Sequence, residues 1–208
     1  NELLQKGGKR VRQKKLPKVL NEDEQEKLLD QPNSRYVTGQ RNHLLLKLML
    51  DTGLRLSEAT SLKWKDITLI SGQLKVVEGK GAKDRVLWLN EEDLNLLKEW
   101  KERQVKEAEK TLEYVFTAMS KGTLGNKLDN RYVQDMVKRY AAKAEIGKKV
   151  SPHMLRHSFA SDLLRQTKNI RMVQKALGHE QLNTTMIYTH IVDDELESEL
   201  KNFRKKEE

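Results

Sequence analysis

The sequence predicts an α+β fold, mainly α-helical, with one small three-stranded antiparallel sheet. Three observations predict it. Apolar residues recur at helical spacing along most of the chain, and between residues 67 and 89 the period shortens to two. Residues suited to starting and stopping helices stand at the ends of the helical stretches. The 208 residues suffice for one domain with appendages.

Each element has a local reason. Asn21 caps a short helix over residues 22–29, whose first turn is acidic where the helix dipole favours it. Pro32, Asn33 and Ser34 mark a loop. Residues 41–51 are too densely apolar for a surface stripe and predict a buried helix, which Thr52-Gly53 ends. Ser57 is a good N-cap for a helix over residues 58–64. Residues 67–69, 73–77 and 85–89 alternate as three strands, joined by Ser71-Gly72 and by a Gly-Lys-Gly turn at residues 79–81. Asn90 caps a long polar helix reaching about Lys110, Tyr114-Val115-Phe116 is a short apolar run, and residues 130–144 form a helix with a basic face. Ser151-Pro152 is a cap followed by proline at the first helical position, for a helix to about Gln166. Residues 170–177 are helical and Gly178 stops them. Asn183 caps a short helix holding Tyr188, and residues 193–203 form a last helix with Leu196, Leu200 and Phe203 on one stripe.

Lys and Arg outnumber Asp and Glu by 40 to 31, a formal net charge of +9. That excess favours a polyanionic partner, although solubility alone also accounts for it. Much of it lies in residues 1–20, where Lys9, Arg10, Arg12, Lys14 and Lys15 stand among few apolar residues. This segment reads as a basic linker able to lie along a DNA backbone, or as a solvated arm. The chain has no cysteine, which removes disulfides and thiolate metal sites and fits a cytoplasmic protein. The longest apolar run stops at Lys47, far short of a membrane span, so no membrane is expected. The start at Asn1, without Met, implies a piece of a longer protein.

On a helix, His153, Arg156 and His157 share a face, and such a face can clamp a phosphate. The four-residue spacing of the two histidines also suits zinc, but Met154 stands where a metalloprotease helix needs Glu. Taken singly, His179 after Leu177-Gly178 and Tyr188 after Met186-Ile187 read as structural or core residues. Pairing with Glu58 would explain Arg55, and a turn position would explain Lys80. The glycines beside Lys80 would also let that tip approach a ligand closely.

Taken together, the pieces resemble one family. Thr52-Gly53-Leu54-Arg55-Leu56-Ser57-Glu58, then Gly79-Lys80-Gly81, His153-Met154-Leu155-Arg156-His157, Leu177-Gly178-His179 and Tyr188 nine residues later occur in the order found in tyrosine recombinases and phage-type integrases. The sequence looks most like the Xer-like branch, over nearly all of residues 20–190.

The resemblance implies the tyrosine recombinase catalytic-domain fold and a recombinase acting on double-stranded DNA through a 3′-phosphotyrosyl intermediate and a Holliday junction, with no cofactor, metal or ATP. It implies that Arg55 and Arg156 hold the scissile phosphate, Tyr188 is the nucleophile, His153 accepts a proton and His179 hydrogen-bonds the phosphate. Lys80 would protonate the departing 5′-oxygen, with Lys83 its neighbour and a DNA contact, and His157 falls outside the catalytic set. Residues 21–192 would be the catalytic domain and residues 1–20 the linker from an upstream DNA-binding domain. Residues 193–208 would dock on the next subunit of a homotetramer, with folding back on its own domain as the alternative. A basic nucleic-acid-binding module without chemistry and a type IB topoisomerase-like enzyme that relaxes DNA are the alternatives.

Overall fold

The computed structural model describes residues 18–77 and 84–178. Seven α-helices and three strands run in the order α1 (Glu22–Leu29), α2 (Val37–Thr52), α3 (Leu56–Ser61), β1 (Ile67–Thr68), β2 (Gln73–Val76), β3 (Arg85–Trp88), α4 (Glu91–Ala108), α5 (Asn130–Lys143), α6 (Pro152–Thr167) and α7 (Ile170–Leu177). The strands form one antiparallel sheet in the order β1-β2-β3, with Leu74 opposite both Ile67 and Leu87. This is the expected α+β architecture. The expected helices around Tyr188 and over residues 193–203 lie outside the described residues, as does the Gly-Lys-Gly turn.

Helix α2 is the centre. Leu44, Leu45, Leu46, Leu48 and Met49 are all buried, because the helix packs against α4 on one side and α6 on another and needs apolar surface nearly all round. Its one strongly buried charge, Arg41, donates to the Thr117 carbonyl (2.7 Å), Asn42 Oδ1 and the Tyr132 hydroxyl (2.7 Å), which ties α2 to α5. Helix α4 is anchored by Trp100 and Gln104, whose side-chain N–H groups both donate to the Val115 carbonyl. A smaller apolar cluster of Ala160, Leu164, Val173 and Leu177 joins α6 to α7.

The caps act as the sequence predicts. Asn21 and Glu24 exchange hydrogen bonds in a capping box, and Ser151 Oγ accepts from the Met154 amide ahead of Pro152. Gly53 and Gly178 close α2 and α7 in the left-handed region, at φ 64° and 67°. At Gly53 an added Cβ would also lie 2.3 Å from the Phe159 ring, so the position excludes any side chain twice over.

One boundary differs from expectation. Ser57 does not cap α3; the helix begins at Leu56 with Arg55 as N-cap, because the Glu58 carboxylate reaches back to the Arg55 amide (2.7 Å). The helix also stops at Ser61 rather than at residue 64. Leu62 turns extended, its carbonyl accepts from the Val115 amide, and the Trp64 amide donates to the Glu113 carbonyl. Strand-like pairing with residues 113–115 therefore competes with the helix and wins. Helix α2 begins at Val37, four residues before the expected Arg41, and elsewhere the ends move by a residue or two: β1 and β2 stop one short, β3 stops at Trp88 and α4 at Ala108. Residues 18–20 are already fastened to the domain, with the Leu20 amide donating to Ser158 Oγ (2.8 Å) and Lys148 donating to the Val19 carbonyl (2.7 Å). Among the described residues, no helix is long and apolar enough to cross a membrane.

At the contact between α2 and α4, Asp93 is buried and its Oδ1 has no hydrogen-bond partner among the described residues. Burial, followed by the nearby Asp51 charge, pushes its carboxyl up to about 7, with Lys47 opposing. A carboxyl raised in the folded state stabilises the fold while protonated, and that contribution is lost as pH rises through about 7. Asp93→Asn should therefore gain about 1–3 kcal/mol over the wild type at pH 8 and little at pH 5, read by chemical denaturation at both pH values. An equal difference at the two pH values would refute the assignment.

Candidate functional site

Four of the residues singled out from the sequence lie within the described structure: Arg55, His153, Arg156 and His157. Lys80, His179 and Tyr188 lie outside the described residues, as do Lys9, Arg10, Arg12, Lys14, Lys15 and Lys83.

Arg55 and Arg156 come together although they are far apart in sequence. Arg55 sits at the turn between α2 and α3, where it precedes the first residue of α3. Arg156 projects from the second turn of α6. Between them stands Glu58. Its Oε1 accepts from Arg55 Nη1 at 2.7 Å, and its Oε2 lies 4.0 Å from Arg156 Nη1. A third guanidinium, Arg85 from β3, grips the same carboxylate with both arms, Nη1 to Oε1 at 3.0 Å and Nη2 to Oε2 at 2.8 Å. The side chains of Glu58, Arg85 and Arg156 are each 7% exposed, whereas that of Arg55 is 39% exposed. Arg55 is thus the arginine of the group that faces outward.

Arg156 is held from two directions. Nη1 donates to the Gly53 carbonyl (2.6 Å) and Nη2 to the Leu177 carbonyl (2.7 Å). Both acceptors are carbonyls at the C-terminal ends of helices, α2 and α7, which lack partners within the helix and carry the negative end of its dipole. Three guanidiniums around one carboxylate leave a local excess of positive charge, fixed in place before any anion arrives. Such an arrangement can hold a phosphate and stabilise negative charge that builds on it.

Glu58 keeps its charge here. Burial acts to raise its pKa, but hydrogen bonds from Arg85 and from the Arg55 backbone and side chain outweigh it and hold the carboxyl at about 2.

The predicted face of His153, Arg156 and His157 divides in the fold. Arg156 turns inward, His153 is exposed in the first turn of α6, and His157 is half-buried below it. The two imidazoles meet edge to face with centroids 4.3 Å apart. Burial, then the charges of His153 and Arg156, push His157 down to about 4, so it is neutral near pH 7. Among the described residues, no group of three or more His, Asp or Glu is placed to hold a metal ion.

Two members of the site were not singled out from the sequence. Glu58 stood only as a possible partner of Arg55, and Arg85 only as the start of a strand. Strand alternation carries a signal for Arg85, since it shares the inward face with Leu87 while Val86 and Trp88 point out. An inward charge on a half-buried strand requires a buried counter-charge.

The sequence and the fold have counterparts among known proteins. The model of the phage integrase family matches residues 18–195. The chain belongs to that family. It is 39% identical over 178 residues to the tyrosine recombinase XerC of Xanthomonas axonopodis pv. citri, an alignment covering 86% of this chain and 55% of that protein. The chain spans about half the length of the curated relatives it matches. Among solved structures, XerA recombinase superposes with a TM-score of 0.75 at 31% identity, covering 92% of this chain and 67% of that one. The XerH site-specific recombinase bound to its palindromic difH substrate, in a post-cleavage complex, superposes with a TM-score of 0.74 at 35% identity, covering 92% of this chain and 54% of that one. The expected tyrosine recombinase catalytic-domain fold is therefore present in this integrase-family chain.

Glu58→Gln should destabilise the fold by about 3–5 kcal/mol, because it strips the charge that buried guanidiniums share. Denaturant unfolding at neutral pH measures this. A carboxyl whose pKa is depressed on folding stabilises above its ordinary value of 4.5, and that stability is lost as pH falls towards about 2. The variant should therefore show a flatter acid limb than the wild type.

Proposed function

We propose that this chain is the catalytic part of a site-specific DNA recombinase that cleaves and rejoins double-stranded DNA through a 3′-phosphotyrosyl intermediate and a Holliday junction. The observation that carries the reading is the convergence of Arg55 and Arg156 on Glu58, in a chain of the integrase family. The two arginines hold the scissile phosphate, and their guanidiniums stay protonated at any relevant pH.

Tyr188 is the nucleophile. Its phenol has an ordinary pKa of about 10, so it must give up a proton as it attacks. His153, exposed at the start of α6, takes that proton. The tyrosine oxygen bonds to phosphorus and the bond to the 5′-oxygen breaks. The 5′-oxygen receives a proton from Lys80, a general-acid step worth about 10²–10⁴-fold. His179 hydrogen-bonds the phosphate. The phosphotyrosyl bond keeps the energy of the diester, so a 5′-hydroxyl can attack it and restore a strand without ATP.

In this reading residues 21–192 are the catalytic domain and residues 1–20 a basic linker lying along the DNA backbone. An upstream DNA-binding domain of the longer protein closes around the duplex. Residues 193–208 dock on a neighbouring copy in a tetramer on paired DNA sites. The protein works in the cytoplasm.

The test is covalent trapping. The full-length protein is offered nicked duplexes from the ends of its own element or replicon, and a denaturation-resistant adduct is sought. The wild type should form one, and Tyr188→Phe should abolish it while DNA binding persists. An adduct on the Phe variant would sink the nucleophile assignment; no wild-type adduct on bound DNA would favour a binding module. Lys80→Ala should slow cleavage by about 10²-fold or more, and replacing the 5′-oxygen by sulfur should restore it. Equal losses on both substrates would remove Lys80 from the acid's role.

A further inference from the structure

Arg85 connects three parts of the site that are otherwise separate. It opens β3, opposite Val76 on β2, so it stands at the base of the hairpin whose residues 78–83 include Lys80. Its guanidinium is buried and grips both oxygens of Glu58, the carboxylate shared with Arg55 and Arg156. Its Nε donates to the Ala176 carbonyl at 2.9 Å, in the last turn of α7. The next carbonyl, that of Leu177, is taken by Arg156. Two guanidiniums, one from the sheet and one from α6, thus clamp the end of α7. From there the chain passes through Gly178 to His179 and, nine residues further on, Tyr188.

These contacts use the particular shape of arginine. A planar fork places two parallel N–H groups on a carboxylate while Nε points elsewhere. Lysine carries the same charge as a single point and cannot span Glu58 and the Ala176 carbonyl together. Solubility does not call for a buried cation on a strand, and packing alone would favour an aliphatic residue beside Leu87.

We propose that Arg85 is a positioning residue for strand cleavage, one that ties the paired ends of β2 and β3, at Val76 and Arg85, to the Glu58-anchored arginines and the end of α7. The proposal rests on the recombinase reading above, in which Lys80 delivers the proton to the departing 5′-oxygen. Arg85 itself touches no reacting atom. It acts by fixing the root of the hairpin, so its loss should appear chiefly in the step that needs Lys80.

The experiment uses the full-length protein and nicked duplexes carrying either the ordinary 5′-oxygen or a 5′-bridging sulfur, which departs without a proton. Arg85→Lys keeps the charge. Arg85→Gln keeps a donor for Glu58 without the charge, and serves as the second variant. Wild type, Tyr188→Phe and Lys80→Ala are run beside them. Arg85→Lys should lower the cleavage rate at saturating DNA by about 10²-fold on oxygen, the scale of a misplaced general acid, with DNA affinity retained and most of the rate restored on sulfur. In a Lys80→Ala background it should cost little more. A loss of equal size on both substrates overturns the proposal, as does wild-type cleavage of the oxygen substrate. If both variants lose DNA binding together with cleavage, Arg85 serves stability alone and the proposal fails. A wild-type protein that forms no adduct on either substrate overturns the recombinase reading, an outcome separate from failure of the Arg85 variants in a protein that does cleave.

Discussion

Glu58 governs the electrostatics of the site, since Arg55, Arg85 and Arg156 converge on it and would otherwise repel one another in a largely buried space. Burying charge is costly unless it is paired and hydrogen-bonded. Here the cost is offset within the fold: Glu58 takes both arms of Arg85, one arm and the backbone amide of Arg55, and stands at salt-bridge distance from Arg156. The carboxylate does not cancel the group. Positive charge remains in excess and is already oriented, an arrangement that in the proposed function would meet a phosphate without reorganising. The same residue also sets where α3 starts, through its bond to the Arg55 amide. A single side chain therefore links local helix geometry to the charge distribution of the site.

The helical framework supplies what Glu58 cannot. Arg156 has one carboxylate at long range and two carbonyls at short range, from Gly53 and Leu177. Those carbonyls exist as acceptors because α2 and α7 end there, each followed or closed by a left-handed glycine. Helix ends in general satisfy such groups with side chains, tightened last turns or water. Here a guanidinium is satisfied by them, and the helix dipoles add to its stability. Gly53 contributes a second constraint, since the Phe159 ring leaves no room for a Cβ at that turn. The approach of α6 to the end of α2 is thus part of how Arg156 is held.

Local signals in the sequence carried most of the fold. Asn21, Ser151, Gly53 and Gly178 act where their types imply, and the period change at residue 67 marks the sheet. Ser57 misleads because its local capping preference competes with two influences that spacing does not reveal. One is a carboxylate three residues beyond Arg55, and the other is pairing with residues 113–115. The site was legible in part. Motif order drew attention to Arg55, His153 and Arg156, but a helical wheel that groups residues 153, 156 and 157 says nothing of which neighbours cover each one. Packing of α6 on α2 and α7 buries Arg156 and leaves His153 exposed. Arg85 was overlooked because a lone basic residue at a strand start is unremarked until alternation is followed inward.

The arginine–carboxylate cluster and His157 hardly change charge around neutral pH. Glu58 is ionised above about 2, His157 is neutral above about 4, and the guanidiniums remain cationic. The half-buried His157 therefore adds no charge beside Arg156 near pH 7, and it presents a neutral ring edge-on to His153. Asp93 titrates at about 7, on the contact between α2 and α4, and bears on stability. A pH dependence of catalysis that survives correction for stability then points to groups outside this arginine–carboxylate cluster. The arginine–carboxylate group supplies a field that is constant around neutral pH. In the recombinase reading proposed above, that constancy would serve cleavage and rejoining alike, because both would need the same stabilising charge.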